Sequence, residues 1–132
     1  MMELEVSQHA LEAMLAAAHA AYPCEACGIL TGESARITAF VAAANVHTSP
    51  ETRFEIDPQA LIDAHRIARG GGPQVLGYFH SHPSGDPVPS ATDRASAAHD
   101  GAIWAIAAGD EVRFWRDMPA GFQPLSYSTI DL

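Results

Sequence analysis

Apolar positions along the chain change period several times, and each change marks an element. Leu11, Met14, Leu15 and Ala18 recur at helical spacing. They predict a first helix capped by Ser7, reaching about residue 21 and closed by Pro23. Two β-type segments follow, 26–31 and 36–46, joined at Gly32-Glu33-Ser34. Asp57-Pro58 opens a second helix, with proline at the first helical position, where its missing N–H does no harm. Leu61, Ile62, Ile67 and Ala68 give that helix an apolar face, and Gly70 ends it. After Gly70-Gly71-Gly72-Pro73, residues 74–82 are rich in Val75, Leu76, Tyr78 and Phe79 and read as a strand. A third helix is expected over 91–100. Segments 102–107 and 111–115 flank Gly109-Asp110 as a hairpin, and 125–130 is a last strand. Helices and hairpins interleave without a regular β-α-β rhythm. The expected class is therefore α+β, a mixed central β-sheet flanked by helices.

A chain of 132 residues that is 48% hydrophobic suits one domain spanning 1–132 with a real core. Its mean hydropathy of 0.00 is ordinary for a soluble globule. No apolar run approaches the roughly 18 residues needed to span a membrane. Glu3 and Glu5, with no early basic residue, do not read as a secretory signal, so a cytoplasmic location is expected. The formal net charge is −9, and all seven basic residues are arginines. Such a surface repels phosphate backbones and argues against a nucleic-acid partner.

The chemistry concentrates in His80-Ser81-His82-Pro83-Ser84-Gly85-Asp86-Pro87-Val88-Pro89-Ser90-Ala91-Thr92-Asp93. Alternation along a strand puts His80 and His82 on one side, roughly 6.5–7 Å apart. Pro83 biases His82 toward an extended backbone. Asp93 would approach from the start of the next helix. Two neutral imidazoles and a carboxylate form a ligand set for a catalytic zinc, whose fourth position stays open. The same residues have a plainer reading. Ser90-Ala91-Thr92-Asp93 fits a helix capping box, and histidines near a strand end are often structural.

The spacing H-x-H-x7-S-x-x-D resembles the JAMM (MPN-plus) zinc metalloproteases. Upstream, Glu25-Ala26-Cys27-Gly28-Ile29-Leu30-Thr31-Gly32 resembles that family's glutamate before a Gly-Ile/Leu-Leu-x-Gly strand. Asn45-Val46-His47 and Arg53-Phe54-Glu55-Ile56-Asp57-Pro58 also look like it, so the resemblance runs from about residue 11 to 115. It implies an MPN/JAMM-like fold with cytidine-deaminase-like layering. It implies one Zn2+ per chain on His80, His82 and Asp93, Glu25 as general base, and Ser90 as a donor to the oxyanion. Family members cleave after the C-terminal Gly-Gly of ubiquitin-like proteins, through access too narrow for side chains. This compact chain looks like the stand-alone bacterial type, which implies a ubiquitin-like sulfur-carrier protein or its C-terminal adduct as partner.

Other readings compete. A non-catalytic MPN scaffold is the main alternative, although such members usually lack the ligands present here. DNA-repair-associated members are disfavoured by the acidic charge, and phage-tail or cell-wall amidases usually carry a second hydrolase. Pro23-Cys24-Glu25-Ala26-Cys27 matches half of the zinc nucleobase deaminase signature. None of the seven histidines is followed two residues later by glutamate, so that reading fails. Cys24 and Cys27 are expected to be reduced thiols, Cys27 in packing and Cys24 without a role. His9, His19, His65 and His99 fall in expected helical stretches. His47 lies in a loop that the resemblance places near the cleft.

Overall fold

The computed structural model describes residues 4–132; Glu3, noted above, lies outside them. Eight strands and three helices follow in the order β1 (Leu4–Ser7), α1 (Gln8–Ala21), β2 (Cys27–Glu33), β3 (Arg36–Ala43), α2 (Pro58–Arg69), β4 (Gln74–Ser81), α3 (Ala91–Ser96), β5 (Ile103–Ala108), β6 (Glu111–Met118), β7 (Gly121–Leu125) and β8 (Tyr127–Ile130). They form one sheet in the order β7-β6-β5-β4-β2-β3-β1-β8. Pairings are mixed: β1 runs parallel to β3 and β8, and β4 to β5, while the others are antiparallel.

Strands β7 and β8 occupy opposite edges, yet only Ser126 separates them. The sheet must therefore curl until its edges nearly meet. Phe114 of β6 packs edge-on against Tyr127 of β8, with centroids 4.7 Å apart, across that closure.

Each face of the sheet buries its own helix. Leu30, Ile37, Phe79, Ala105 and Phe114 pack with Ala10 and Met14 of α1. Cys27, Ile29 and Ile56 pack with Ala64 of α2. Alternation along β2 and β4 sorts the residues: Leu30 and Phe79 go to the α1 side, Cys27, Ile29 and Tyr78 to the α2 side. Gly28, between Cys27 and Ile29, leaves room for the Phe40 ring and the Val41 carbonyl, into which any Cβ would run.

The expected α+β class and mixed sheet are present. Caps behave as expected too: the Ser7 hydroxyl accepts from the Ala10 amide at 3.3 Å, and Asp57 accepts from Gln59 at 3.1 Å ahead of Pro58. Two element ends and two whole strands depart most from expectation. Strand β3 stops at Ala43, before residue 46, because the Asn45 side chain is drawn into the following loop. Helix α3 stops at Ser96, well short of residue 100. The Ser96 hydroxyl donates back to the Thr92 carbonyl at 2.9 Å, and the chain then turns extended at Ala97. His99 consequently lies outside any helix, with φ of 58°, its amide donated to Asp117 at 2.9 Å. Strands β1 and β7 were not expected. β1 is only four residues long, and β7 carries Pro124, which a sheet edge tolerates because no ladder bond is lost there.

Candidate metal centre

His80 sits near the end of β4, and His82 follows just past it. The His82 amide continues the pairing with β5 by donating to the Ala107 carbonyl at 2.8 Å. Both rings point to the α2 side. The loop after His82 returns to α3 and is pinned midway, where the Trp115 indole donates to the Pro87 carbonyl at 3.2 Å. Ser90 then caps α3 in a reciprocal box. Its hydroxyl accepts from the Asp93 amide at 3.1 Å, and Asp93 Oδ2 accepts from the Ser90 amide at 2.9 Å. The capping reading is therefore correct. It is also what aims Asp93 at the histidines, and it leaves the Ser90 hydroxyl proton free.

Three ligand-type atoms converge. His80 Nε2 and His82 Nε2 are 3.1 Å apart, and Asp93 Oδ2 lies 3.1 Å from the first and 3.2 Å from the second. His80 and Asp93 are only 1% and 4% exposed. His82 Nδ1 faces the Asp86 carbonyl at 2.8 Å. A ring nitrogen can meet a carbonyl only by donating, so in the neutral ring Nε2 carries the free lone pair. That nitrogen, His80 Nε2 and the carboxylate oxygen form a triangle that matches the edges of about 3.3 Å that tetrahedral zinc bonds of 2.0–2.1 Å require. The donor set fits a zinc ion. Phe54 stacks on His80 at 4.4 Å and Trp104 meets it edge-on at 5.7 Å, which fixes the ring.

Glu25 reaches the same site by alternation. Cys27 pairs with His80 across β2 and β4, and Glu25, two residues earlier, falls on the same face. Its backbone is clamped on both sides. The Glu25 amide donates to the Pro50 carbonyl at 2.7 Å, its carbonyl accepts from Asn45 Nδ2 at 3.0 Å, and the next amide donates to the Ser81 hydroxyl at 2.8 Å. The residue is 7% exposed. Burial pushes its carboxyl up to about 7; the nearby His82 opposes that rise and Asp93 adds to it.

Asp93 shows the opposite balance. Burial disfavours the charge on Asp93, but hydrogen bonds with His80 and His82 outweigh it and hold its carboxyl well below the usual range. Burial pushes His80 down. It would do the same to His82, where the contacts with Asp93 and the Asp86 carbonyl prevail and raise it.

Glu25, His82, Ser90 and Thr92 line a cavity of about 420 Å³. A neighbouring cavity of about 250 Å³ is bounded by Glu25, His47, Thr52, Phe54, Asp93 and Ser96. The structure thus brings together the five residues singled out from sequence, and places His47 beside them. Among the described residues, His80, His82 and Asp93 form the one cluster able to hold a metal.

Cys27 is buried against the Ala43 and Ala44 carbonyls, and burial with the Glu25 charge pushes its thiol up to about 11. Both cysteines are free, and Cys24 is half-buried. Neither has a part in the metal cluster. Sequence reasoning missed the role of Asn45. Besides holding Glu25, its Nδ2 donates to the Arg53 carbonyl and its Oδ1 accepts from the amides of His47 and Glu55, so one side chain organises the loop over the cleft. The only signal was its place in the phrase Asn45-Val46-His47.

Comparison with known families gives the same grouping. The family described as prokaryotic homologs of the JAB domain matches residues 7–117. The chain belongs to that family. A desampylase of Haloferax volcanii is 40% identical over 90 residues, 67% of this chain and 65% of the relative. A probable TtuB-protein conjugate cleaving protease of Thermus thermophilus is 35% identical over 71 residues, 54% of this chain and 47% of the relative. The chain therefore spans from about half to two thirds of these relatives' lengths. Protein DSY2949 from Desulfitobacterium hafniense superposes with a TM-score of 0.84 at 27% identity, covering 98% of this chain and 94% of that one.

Proposed function

We propose that this family member is a zinc-dependent peptidase or isopeptidase that cleaves after the C-terminal Gly-Gly of a ubiquitin-like protein, most simply one of the sulfur-carrier type. The observation that carries the proposal is the meeting of the His80, His82 and Asp93 triangle with a buried Glu25 in one cleft. The names of the Haloferax and Thermus relatives support the substrate class.

His80 Nε2, His82 Nε2 and Asp93 Oδ2 would hold one Zn2+. The ion would supply Lewis acidity, polarising the scissile carbonyl and acidifying water. Glu25 does the proton work. Held up to about 7, its carboxylate takes a proton from the attacking water and its carboxylic acid returns that proton to the leaving amine. The Ser90 hydroxyl, free to donate, faces the cleft where the carbonyl oxygen gains charge. Asp93 holds its negative charge, and the Asp86 carbonyl keeps His82 in one tautomer.

A binding scaffold would have no use for a buried carboxylate held near neutrality, because such a group costs stability. Among the described residues no helix is long and apolar enough to cross a membrane. Our reading places the reaction in the cytoplasm, where both thiols stay reduced.

The test is cleavage of a ubiquitin-like carrier bearing a short extension after Gly-Gly, followed by mass spectrometry. The expected product ends at the second glycine, and Glu25→Gln protein that binds zinc gives none. Turnover by that variant, or cleavage elsewhere in the tail, would overturn the proposal.

A further inference from the structure

A second cavity, of about 460 Å³, lies on the same face of the sheet. Tyr78, Trp104 and Trp115 are register partners across β4, β5 and β6, and Asp117 follows two residues after Trp115. Alternation therefore puts Asp117 on the face that carries His80. Phe54, Glu55 and Ser96 line both this cavity and the one containing Glu25 and Asp93, so the two adjoin at the metal centre.

The lining is apolar in its walls and acidic in its charges. Ile56, Leu61, Tyr78 and Trp104 form much of the wall, and the charged lining residues are Glu55, Asp100 and Asp117, with no basic side chain. Asp117 is the decisive group. It is 0% exposed, and its Oδ1 has no hydrogen-bond partner. Oδ2 accepts the His99 amide at 2.9 Å. The His99 ring comes within 3.3 Å of Oδ1, but its Nδ1 pairs with the Met118 carbonyl at 3.1 Å. A buried carboxylate oxygen left unpaired is expensive, and a donor from outside the chain would complete it.

Three carboxylates exclude an anion. Apolar walls make a poor cage for a bare metal ion, which needs several oxygen ligands. What fits is a cationic head on an apolar stem, its stem against Leu61 and Ile56 and its charge among the aromatic faces and Asp117. We propose that this cavity is a specificity subsite for a lysine or arginine side chain in the substrate segment flanking the scissile bond. The assignment rests on the peptidase reading above, because adjacency to Glu25 and Asp93 is what makes the occupant part of the substrate.

The test uses zinc-loaded full-length protein and Gly-Gly peptides carrying arginine, lysine or citrulline at one position. That position is scanned over about four residues on either side of the cleaved bond, each spanning at most ~3.6 Å. At one position the basic residue should raise kcat/KM about tenfold over citrulline, chiefly through KM, as a charge-assisted hydrogen bond would. The readout is this ratio within each variant. Asp117→Asn, whose amide oxygen can still accept the His99 amide, should bring the ratio to about one. Asp100→Asn, at an exposed position, should lower it in part. Calorimetric titration of the arginine and citrulline peptides into zinc-loaded Glu25→Gln protein reads the same preference without turnover. If no peptide is cleaved, the peptidase reading falls, while the titration still decides the cavity. No preference at any position, or a preference kept in both aspartate variants, overturns the subsite. Butylamine binding that depends on Asp117 while peptides show no preference would assign the cavity to a free amine and overturn it as well.

Discussion

Replacing Glu25 with glutamine removes a charge that folding must otherwise bury, and the size of the effect follows from its surroundings. Desolvation carries the carboxyl from 4.5 to about 7 in the folded chain. Between those values the native state holds a proton that the unfolded state releases, so stability falls as pH rises through the interval. At 1.36 kcal/mol per pH unit the full penalty is about 3 kcal/mol. Roughly 2.5 kcal/mol of it develops between about pH 5 and about pH 8. Glutamine has the same shape and no titration, so Glu25→Gln should escape the penalty. The assay is urea unfolding of chelator-treated wild type and variant at both pH values, comparing midpoints at equal slope. Metal-free protein is needed because ion binding would add its own stabilisation. The variant should gain on the wild type by about 2–3 kcal/mol as pH rises, while losing turnover once zinc is restored. A stability difference that stays within about 1 kcal/mol across the interval would refute the claim that Glu25 is stored in an unfavourable state.

Ser90→Ala should lose about 1 kcal/mol through the cap, and a rate factor of about 10²–10³, far more than the cap explains; melting curves and kcat separate the two. Asn45→Ala removes donors to the Glu25 and Arg53 carbonyls and an acceptor for two amides. It should cost about 2–3 kcal/mol in urea unfolding and lower kcat with zinc content unchanged. The acid limb of kcat/KM should follow Glu25, activity falling as pH drops because the base takes up its proton. A bound cation draws that limb below 7. A pH–rate profile with no such limb would remove Glu25 from the reaction.

Much of this was legible because the site is built from local patterns. His80 and His82 share a face through strand alternation, and Ser90 with Asp93 reads as a capping box at any helix start. Glu25 was legible only through its family phrase, since nothing local says that a turn residue after Pro23 will be buried. The misses all depend on distant partners. Helix α3 stops early because Asp117, from β6, takes the His99 amide. The four residues of β1 are a strand only because β3 and β8 flank them. Strand β7, with Pro124, needs β6 beside it and a free edge beyond. Asn45 works through five hydrogen bonds to backbone spread over 25–55, a closure that no local period announces.

The most direct test of the central claim is bound metal, measured by elemental analysis in wild type, His80→Ala/His82→Ala and Cys24→Ser/Cys27→Ser proteins. The account predicts about one zinc per chain in the wild type and the cysteine variant, and none in the histidine variant. Zinc that follows the cysteines, or is absent from all three after reconstitution, would contradict it.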